Sequence, residues 1–555
     1  MKNREPNRKK LNPFLYALVA LLGILYFVLG LPIRKAHGEW EKKNYKAAYE
    51  TLEEWSRFRL RPAEYDEAMA VTLLSAGQGQ MAQQFLDRTA RRKPDWLPTF
   101  DKTEVARLLV SSQRYEELLA YDKAVHQRGE GPEVALYRVA ALVGLDRSAE
   151  AAKALAAVDR GAVDAAKYKV ISEAVAQRQS GRFPFLLDRS GNAIATYDVA
   201  SKGLLINDKN FDALIARSGG ELTVESQLAR LGTAATVETT LDPLVQKAAI
   251  EALGSLRGSL VAIDPSTNEL LAIASSHPSG PVSNLALEGK YEPGSIMKVL
   301  TSIKAVSAGI NFSERFPMKC EGLLMVDGRQ FRDWAVHGDL TDLNEALAVS
   351  CNTAFADLGV RLGRESLLGF LRSAGFDGNA DLGVMKVPLG ITHGSFYNRF
   401  EIANLAVGLE HETVNALHVA MLASMVANRG KFAVPRLLRG RRSILGEPVG
   451  VVAQEFSTQV APREVFDKVI PAMKAVVTDP RGTGKRVAIP GLTVAMKTGT
   501  AGKQDKGYDA LILAFAPADN PRIAFGVIAE HAGSAELQGA RVANEFLKRI
   551  KSRLQ

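Results

Sequence analysis

Hydrophobic and polar positions follow three different rhythms along this chain, and each predicts a different kind of structure. From Phe14 to Leu31 the positions are apolar without a break. From 36 to 180, Ala, Leu, Glu, Lys and Arg dominate and no strand-like alternation persists, which predicts helix after helix. Four segments recur there: Asn44-Tyr45-Lys46, Gly79-Gln80-Met81, Gln113-Arg114-Tyr115 and Arg147-Ser148-Ala149. The landmarks Tyr45, Met81, Tyr115 and Ala149 step by 36, 34 and 34 residues. A period near 34 with turn residues between short helices predicts stacked helical hairpins of tetratricopeptide type, or an irregular helical bundle.

Beyond residue 180 the rhythm changes again. Residues 182–195 read as two strands around a turn at Ser190-Gly191-Asn192. Asp242-Pro243 opens a helix, with Asp242 as its cap and Pro243 at its first position. The runs Leu260–Ile263 and Leu270–Ile273 flank a polar turn and predict a hairpin. A second pair is predicted around 511–515 and 523–528, and a closing helix near 535–552. Hairpins at both ends of this stretch, with helices between, predict an α+β domain with one antiparallel sheet covered by helices.

Composition bounds the picture. A chain of 555 residues, 46% hydrophobic and 24% charged, is globular and long enough for several domains. The net charge of +9 is partly concentrated in Lys2, Arg4, Arg8, Lys9 and Lys10, ahead of the apolar run. No basic-aromatic recognition module accompanies it, so no nucleic-acid partner is expected.

The 18 residues from Phe14 to Leu31 are about the minimum for a membrane-spanning helix. A signal-peptide core is shorter, about 7–15 residues, and ends at a small-residue cleavage site. The run here ends Gly30-Leu31-Pro32-Ile33-Arg34-Lys35, without Ala-x-Ala. The expected layout is therefore a cytoplasmic basic tail (1–13), a single transmembrane anchor (14–32), a helical region (36–180), a short pedestal or linker (181–238) and a final domain (239–555). Basic residues stay on the cytoplasmic side, so everything after the anchor is expected outside the cytoplasm.

Three separated segments carry chemistry: Ser295-Ile296-Met297-Lys298, Ser350-Cys351-Asn352 and Lys497-Thr498-Gly499-Thr500. Ser-x-x-Lys alone is a weak signal. The ordered trio, with Ser350 55 positions and Lys497 202 positions after Ser295, is a strong one for active-site serine acyl transfer. One helical turn puts Ser295 and Lys298 on a shared face. A neutral Lys298 amine then takes the proton as Ser295 attacks a carbonyl. Neutrality demands a depressed pKa, which burial and a second cation such as Lys497 both favour. Ser350 is suited to relaying a proton to a leaving amine, and Asn352 to orienting Lys298 and the substrate. Lys497, Thr498 and Thr500 suit a substrate carboxylate, and Gly499 a close approach of substrate to backbone. The backbone amides of Ser295 and Thr500 are the expected oxyanion donors.

With Thr239–Asp242, Val261–Pro265, Tyr291–Ser295, His337-Gly338, Ala427–Gly430 and Phe515–Pro521, residues 239–555 resemble the transpeptidase domain of penicillin-binding proteins, of the class B-like, monofunctional kind. The resemblance implies the penicillin-binding/serine β-lactamase-like fold and acylation of Ser295 by a D-Ala-D-Ala stem peptide of peptidoglycan. Loss of D-Ala and transfer to a neighbouring amine follow, and β-lactams mimic the donor. With the apolar run it implies a single-pass protein of the bacterial inner membrane with its catalytic domain on the periplasmic or extracellular side; the 36–180 helical region is read as a spacer or as a docking surface for cell-wall synthesis partners. It implies no metal or organic cofactor. The eight histidines show no zinc-ligand spacing, and His337 is read as structural. Cys320 and Cys351 are the only cysteines; whether they pair is left open, and Cys351 is read as a small buried residue.

The chain departs from the pattern in three places. About 150 helical residues separate the anchor from a short pedestal that begins Asp188-Arg189-Ser190-Gly191. No glycosyltransferase motif precedes the domain. The family's Gly-x-Gly appears as Gly408-Leu409-Glu410. Gly482-Thr483-Gly484-Lys485 lacks the spacing and the hydroxyl residue of a phosphate loop. The alternative readings are a D,D-carboxypeptidase or endopeptidase, a β-lactamase, and a non-catalytic membrane-anchored scaffold or β-lactam sensor.

Overall fold

The computed structural model describes the chain from Leu21, apart from 57–63, 89–101, 127–130, 216–235, 279–282, 393–397, 446–456, 504–506 and scattered shorter gaps. The expected anchor at 14–32 falls largely outside the described residues. Among the described residues no helix is long and apolar enough to cross a membrane. The chain divides into two compact units, with the division in the main at Phe183/Pro184.

The first unit is helical. Leu31–Glu41 is followed by Tyr45–Trp55, Lys102–Ser111 by Tyr115–His126, and Pro132–Gly144 by Ser148–Ala156. At each junction one residue takes a positive φ: Lys43, Gln113 and Asp146. The next amide then donates back five residues, closing the helix end. These bonds are Asn44 to Glu39, Arg114 to Leu109 and Arg147 to Leu142, with Gln78 to Leu73 supplying the fourth copy. The donors step by 34, 36 and 33 residues, so the sequence period is a period of helix-ending turns. Leu52, Val110, Leu118, Val139 and Ala140 are wholly buried between the helices, with Ile444 and Leu445 from far along the chain joining their core. The Tyr115 ring lies against Gly144, where a Cβ would come 2.5 Å from it.

The described residues form two five-stranded sheets, beside five two-stranded ribbons. The smaller has the order Leu438–Arg442, Thr236–Thr239, Arg182–Leu187, Ala193–Asp198, Gly203–Ile206. The predicted hairpin at 182–195 is its Arg182–Leu187 and Ala193–Asp198 pair.

The larger sheet is antiparallel, in the order Ala495–Lys503, Gly507–Ala516, Ile523–Ala529, Gly258–Asp264, Glu269–Ser276. The other two predicted hairpins are here. Ile523–Ala529 is buried at every position because helices cover both faces. On one face Gly526 meets the wholly buried helix Ala416–Ala427, so closely that a Cβ would lie 2.7 Å from the Ala420 nitrogen. On the other, Phe525 packs edge-on against Phe546 of the C-terminal helix Ala540–Leu554, with centroids 5.1 Å apart. Neighbouring residues of one strand thus serve opposite layers. The helix Pro243–Leu253 starts as expected: the Asp242 carboxylate accepts from Leu244 N at 3.0 Å and Val245 N at 3.2 Å.

Candidate active site

Three helical or strand ends meet at one edge of the larger sheet. Gly294–Ile296 forms a tight 3-10 turn that leads into the helix Met297–Ser307. Ser295 sits in that turn, half-buried, and Lys298 is the second residue of the helix, fully buried. The predicted shared face is therefore split between a turn and a helix. The Ser295 hydroxyl makes no hydrogen bond among the described residues, which leaves its oxygen open to a substrate.

Lys298 points at the second motif. Its Nζ donates to the Ser350 carbonyl at 2.6 Å, to the Ser350 hydroxyl at 3.2 Å and to Asn352 Oδ1 at 2.5 Å. Burial pushes its pKa down to about 8, against the opposing pull of Asp333 and Cys351. Ser350 and Asn352 do face one cleft, but not by strand alternation. Ser350 takes a left-handed φ of 58°, and Cys351 caps the helix Asn352–Leu362, so the chain turns sharply between them. That conformation is costly for a residue with a side chain and persists only where its surroundings impose it.

The third motif opens the edge strand Ala495–Lys503. Lys497 is fully buried; its Nζ donates to the Ser350 hydroxyl at 2.8 Å and to the Thr498 carbonyl at 2.9 Å. Burial, with Lys298 as a second cause, holds its pKa well below the usual lysine range. One hydroxyl thus joins two lysines. Thr498 Oγ1 pairs with Thr483 Oγ1 at 2.7 Å, while exposed Thr500 uses its Oγ1 to accept from Ala535 N at 3.0 Å.

The glycines hold strand and turn together. A Cβ on Gly499 would lie 2.8 Å from the Pro293 carbonyl oxygen and 3.0 Å from Ile296, so it is the nucleophile-bearing turn that crowds this residue. Gly294 (φ 54°) approaches the Thr500 carbonyl and donates its N–H to Gly408 at 2.9 Å. Gly408, the first residue of the segment Gly408-Leu409-Glu410, lies against that turn; Glu410, where the segment departs from the family's pattern, lies outside the described residues.

Lys298, Ser350, Asn352 and Lys497 thus meet by hydrogen bonds, the Ser295 hydroxyl is bonded to none of them, and the backbone on either side of Ser295 abuts that of Gly499 and Thr500. Sequence reasoning missed Thr483, Asp333 and Trp334. Trp334 donates its indole N–H to the Ser350 carbonyl at 3.2 Å, and Asp333 accepts from Thr353 N at 3.0 Å just after the second motif. Neither has a local pattern that announces a role. Thr483 lay inside the segment dismissed as a false phosphate loop.

Comparison with known proteins decides the family. A profile of the penicillin binding protein transpeptidase domain matches residues 258–552. The chain belongs to the penicillin-binding protein transpeptidase family. It is 29% identical over 339 residues to the peptidoglycan D,D-transpeptidase PbpA of Mycobacterium tuberculosis, covering 53% of this chain and 67% of that protein. Over 356 residues it is 28% identical to the peptidoglycan D,D-transpeptidase MrdA of Acinetobacter baumannii, covering 53% of this chain and 51% of the relative. Among solved structures, the D,D-transpeptidase domain of a peptidoglycan glycosyltransferase from Eggerthella lenta superposes with a TM-score of 0.59 at 23% identity, covering 67% of this chain and 99% of that one. PBPA from M. tuberculosis gives 0.59 at 22% identity, covering 68% and 100%. The fold of the family is therefore the fold of this domain, as the sequence resemblance implied.

Proposed function

We propose that this chain is a class B-like peptidoglycan D,D-transpeptidase that cross-links stem peptides through an acyl-enzyme on Ser295. The observation that carries this reading is the convergence of Lys298, Ser350, Asn352 and Lys497 beside an unengaged Ser295 hydroxyl.

In the first half-reaction Ser295 Oγ attacks the carbonyl of the penultimate D-Ala, and its proton passes to the neutral Lys298 amine. The oxyanion that forms is held by the N–H groups of Ser295 and Thr500; one such donor contributes about 3–4 kcal/mol to lowering a barrier. The carbon–nitrogen bond then breaks. The departing D-Ala amine takes a proton through the Ser350 hydroxyl, which is replenished by Lys298 with the proton that Ser295 gave up. An ester on Ser295 remains. An amine from a second stem peptide attacks it, gives up its proton along the same path, and restores Ser295 as the new peptide bond forms. Asn352 keeps Lys298 aimed, and Thr498, Gly499 and Thr500 form the strand edge along which the donor lies, its carboxylate directed to the Thr498 and Thr500 hydroxyls. A β-lactam follows the first half-reaction, with ring opening in place of D-Ala loss.

Residues 14–32 anchor the chain in this reading and place Ser295 on the cell-wall side of the inner membrane. The period of about 34 residues in the helical turns supports a tetratricopeptide-like surface in 36–180 for cell-wall synthesis partners. The test is labelling of the full chain with a fluorescent penicillin beside Ser295→Ala. Label on the wild type and none on the variant is expected. An unlabelled wild type overturns the acyl-enzyme, and an equally labelled variant overturns Ser295 as its site.

A further inference from the structure

The segment Gly482-Thr483-Gly484, which the acyl-transfer chemistry leaves unused, is wedged between the second and third motifs. Glycines flank Thr483 because the backbone there touches its neighbours. A Cβ on Gly482 would collide with the Val476 carbonyl oxygen, and one on Gly484 would lie 2.8 Å from Met496 Sδ, in the strand that carries Lys497 and Thr498. Gly482 donates its N–H to the Asp479 carbonyl at 2.8 Å and Gly484 to the Val476 carbonyl at 2.9 Å, which fastens the segment to the end of the helix Arg463–Thr478. Thr483 itself is buried. Its backbone N–H donates to the carbonyl of Ala348, just before Ser350, at 3.1 Å, and its Oγ1 is 2.7 Å from Thr498 Oγ1. One residue thus touches the approach to the second motif and the third motif itself.

Counting protons gives the threonine pair a direction. Each hydroxyl has one hydrogen to donate and two lone pairs to accept with. At 2.7 Å the contact is a good hydrogen bond, so one of the two hydrogens lies between the oxygens. If Thr498 donated it, the Thr483 hydrogen would have only the Ala348 carbonyl, 3.4 Å away and already bonded to the Thr483 N–H. That separation is long for a hydroxyl bond. The better arrangement has Thr483 donating to Thr498. Lys497 Nζ approaches the same Thr498 oxygen at 3.4 Å. Donors therefore face the lone pairs of Thr498, and its own hydrogen is left for the cleft. Thr500 repeats the pattern: the Ala535 N–H donates to its Oγ1 at 3.0 Å and leaves its hydrogen for an outside acceptor. The two hydroxyls are two residues apart on one strand and so share a face. Both are held as donors, the polarity that a carboxylate requires.

We infer that Thr483 is a positioning residue that fixes the Thr498 hydroxyl as a hydrogen-bond donor, and so gives the site its preference for substrates with a free carboxylate. The inference rests on the acyl-transfer reading of Ser295 and adds a determinant of specificity to it. Thr483 acts through Thr498 alone. An ionised carboxylate only accepts hydrogen bonds, so a hydroxyl locked as a donor suits it and one turned the other way repels it. A neutral ester in the same place gains less, because a hydrogen bond to a charged group is the stronger one. Without the Thr483 hydroxyl, the Thr498 hydroxyl is free to rotate and keeps one buried lone pair without its donor. Thr483 lies 135 residues from Ala348 and 15 from Thr498, so only the fold reveals the link.

The experiment compares benzylpenicillin with its methyl ester, which differ at the carboxylate alone. Initial binding and the first-order acylation step are resolved for the full chain as wild type, Thr483→Val, Thr483→Ala and Thr483→Ser, with thermal unfolding of each. The two hydroxyl-free variants should bind benzylpenicillin about 10–100-fold more weakly. Their binding of the ester, and their acylation step with either compound, should stay within about threefold of wild type. Thr483→Ser keeps the hydroxyl and should bind like wild type. Alanine deletes the hydroxyl without pressing a methyl group on Thr498, so the comparison survives if the valine variant does not fold. Equal losses toward acid and ester overturn the inference, because a merely structural role weakens both. Unchanged binding of the acid overturns it too, as does a serine variant as weak as the valine one. A wild type that binds the ester as tightly as the acid overturns it without any variant. A wild type that neither compound acylates overturns the reading of Ser295 and this inference with it; an acylated wild type with the wrong pattern among the variants overturns this inference alone.

Discussion

The Ser350 hydroxyl stands between two buried lysines, 2.8 Å from Lys497 Nζ and 3.2 Å from Lys298 Nζ. A single oxygen thus accepts from both amines. Replacing Ser350 by Ala leaves the lysines facing each other across a gap without their common acceptor. The first-order acylation step with a penicillin is expected to fall about 10²–10⁴-fold, the usual weight of a positioned proton-transfer group. Stopped-flow labelling checks it. A change below threefold or so would remove Ser350 from the proton path.

Lys298 must be neutral to accept the Ser295 proton, and burial brings its pKa to about 8. Below that value the free amine is the minor form, so the acylation rate should rise about tenfold per pH unit and level off above about 8. An acidic-limb profile that is flat through neutral pH, measured under single-turnover conditions, would show that another group takes the proton.

Gly408 and Gly309 both have positive φ, 83° and 71°, but they differ in what surrounds them. A Cβ on Gly408 would lie 2.1 Å from the Gly294 carbonyl oxygen, whereas nothing lies within 4 Å of one on Gly309. Gly309→Ala is expected to cost about 1 kcal/mol of stability from backbone strain, with acylation unchanged. Gly408→Ala should cost about 1–3 kcal/mol more and slow acylation sharply, because it displaces the turn that carries Ser295. Thermal unfolding and penicillin labelling of the two variants, side by side, separate strain from displacement.

His418 is wholly buried, its Nδ1 accepting from Gly390 N at 2.9 Å and its Nε2 facing the Ala374 carbonyl at 2.9 Å. Burial lowers its pKa to about 4, against the partial opposition of the Ala374 carbonyl. The folded state therefore binds this proton less readily than the unfolded chain. The resulting stability is fully present above about pH 6.5 and is lost as pH falls toward about 4, on the order of 3 kcal/mol in all. Urea unfolding between these limits should show the loss, and His418→Gln should remove the slope that belongs to this group. An identical slope in both proteins would exclude His418 as its source.

Much of this protein was legible in local pattern. The apolar hairpins of the larger sheet, the Asp242 cap and the period of helix-ending turns all depend on residues close in sequence, where spacing maps directly onto geometry. Motif residues were legible as a set, since Ser295, Lys298, Ser350, Asn352 and Lys497 need specific side chains to meet at all. Their contacts were less so. Gly499 and Gly408 both abut the turn that carries Ser295, Gly499 at the Pro293 carbonyl and Gly408 at the Gly294 carbonyl, and neither approach is encoded in local spacing.

By itself the sequence determined which elements form and which chemical groups are on hand, because hydrophobic period, capping and turn preferences act over a few residues. Only the tertiary structure decided which groups touch. The left-handed turn at Ser350, the burial that makes Lys298 a base, and the meeting of Lys298 and Lys497 at one hydroxyl all come from packing between segments far apart in the chain. Desolvation and close approach are properties of that packing, and no local spacing encodes them.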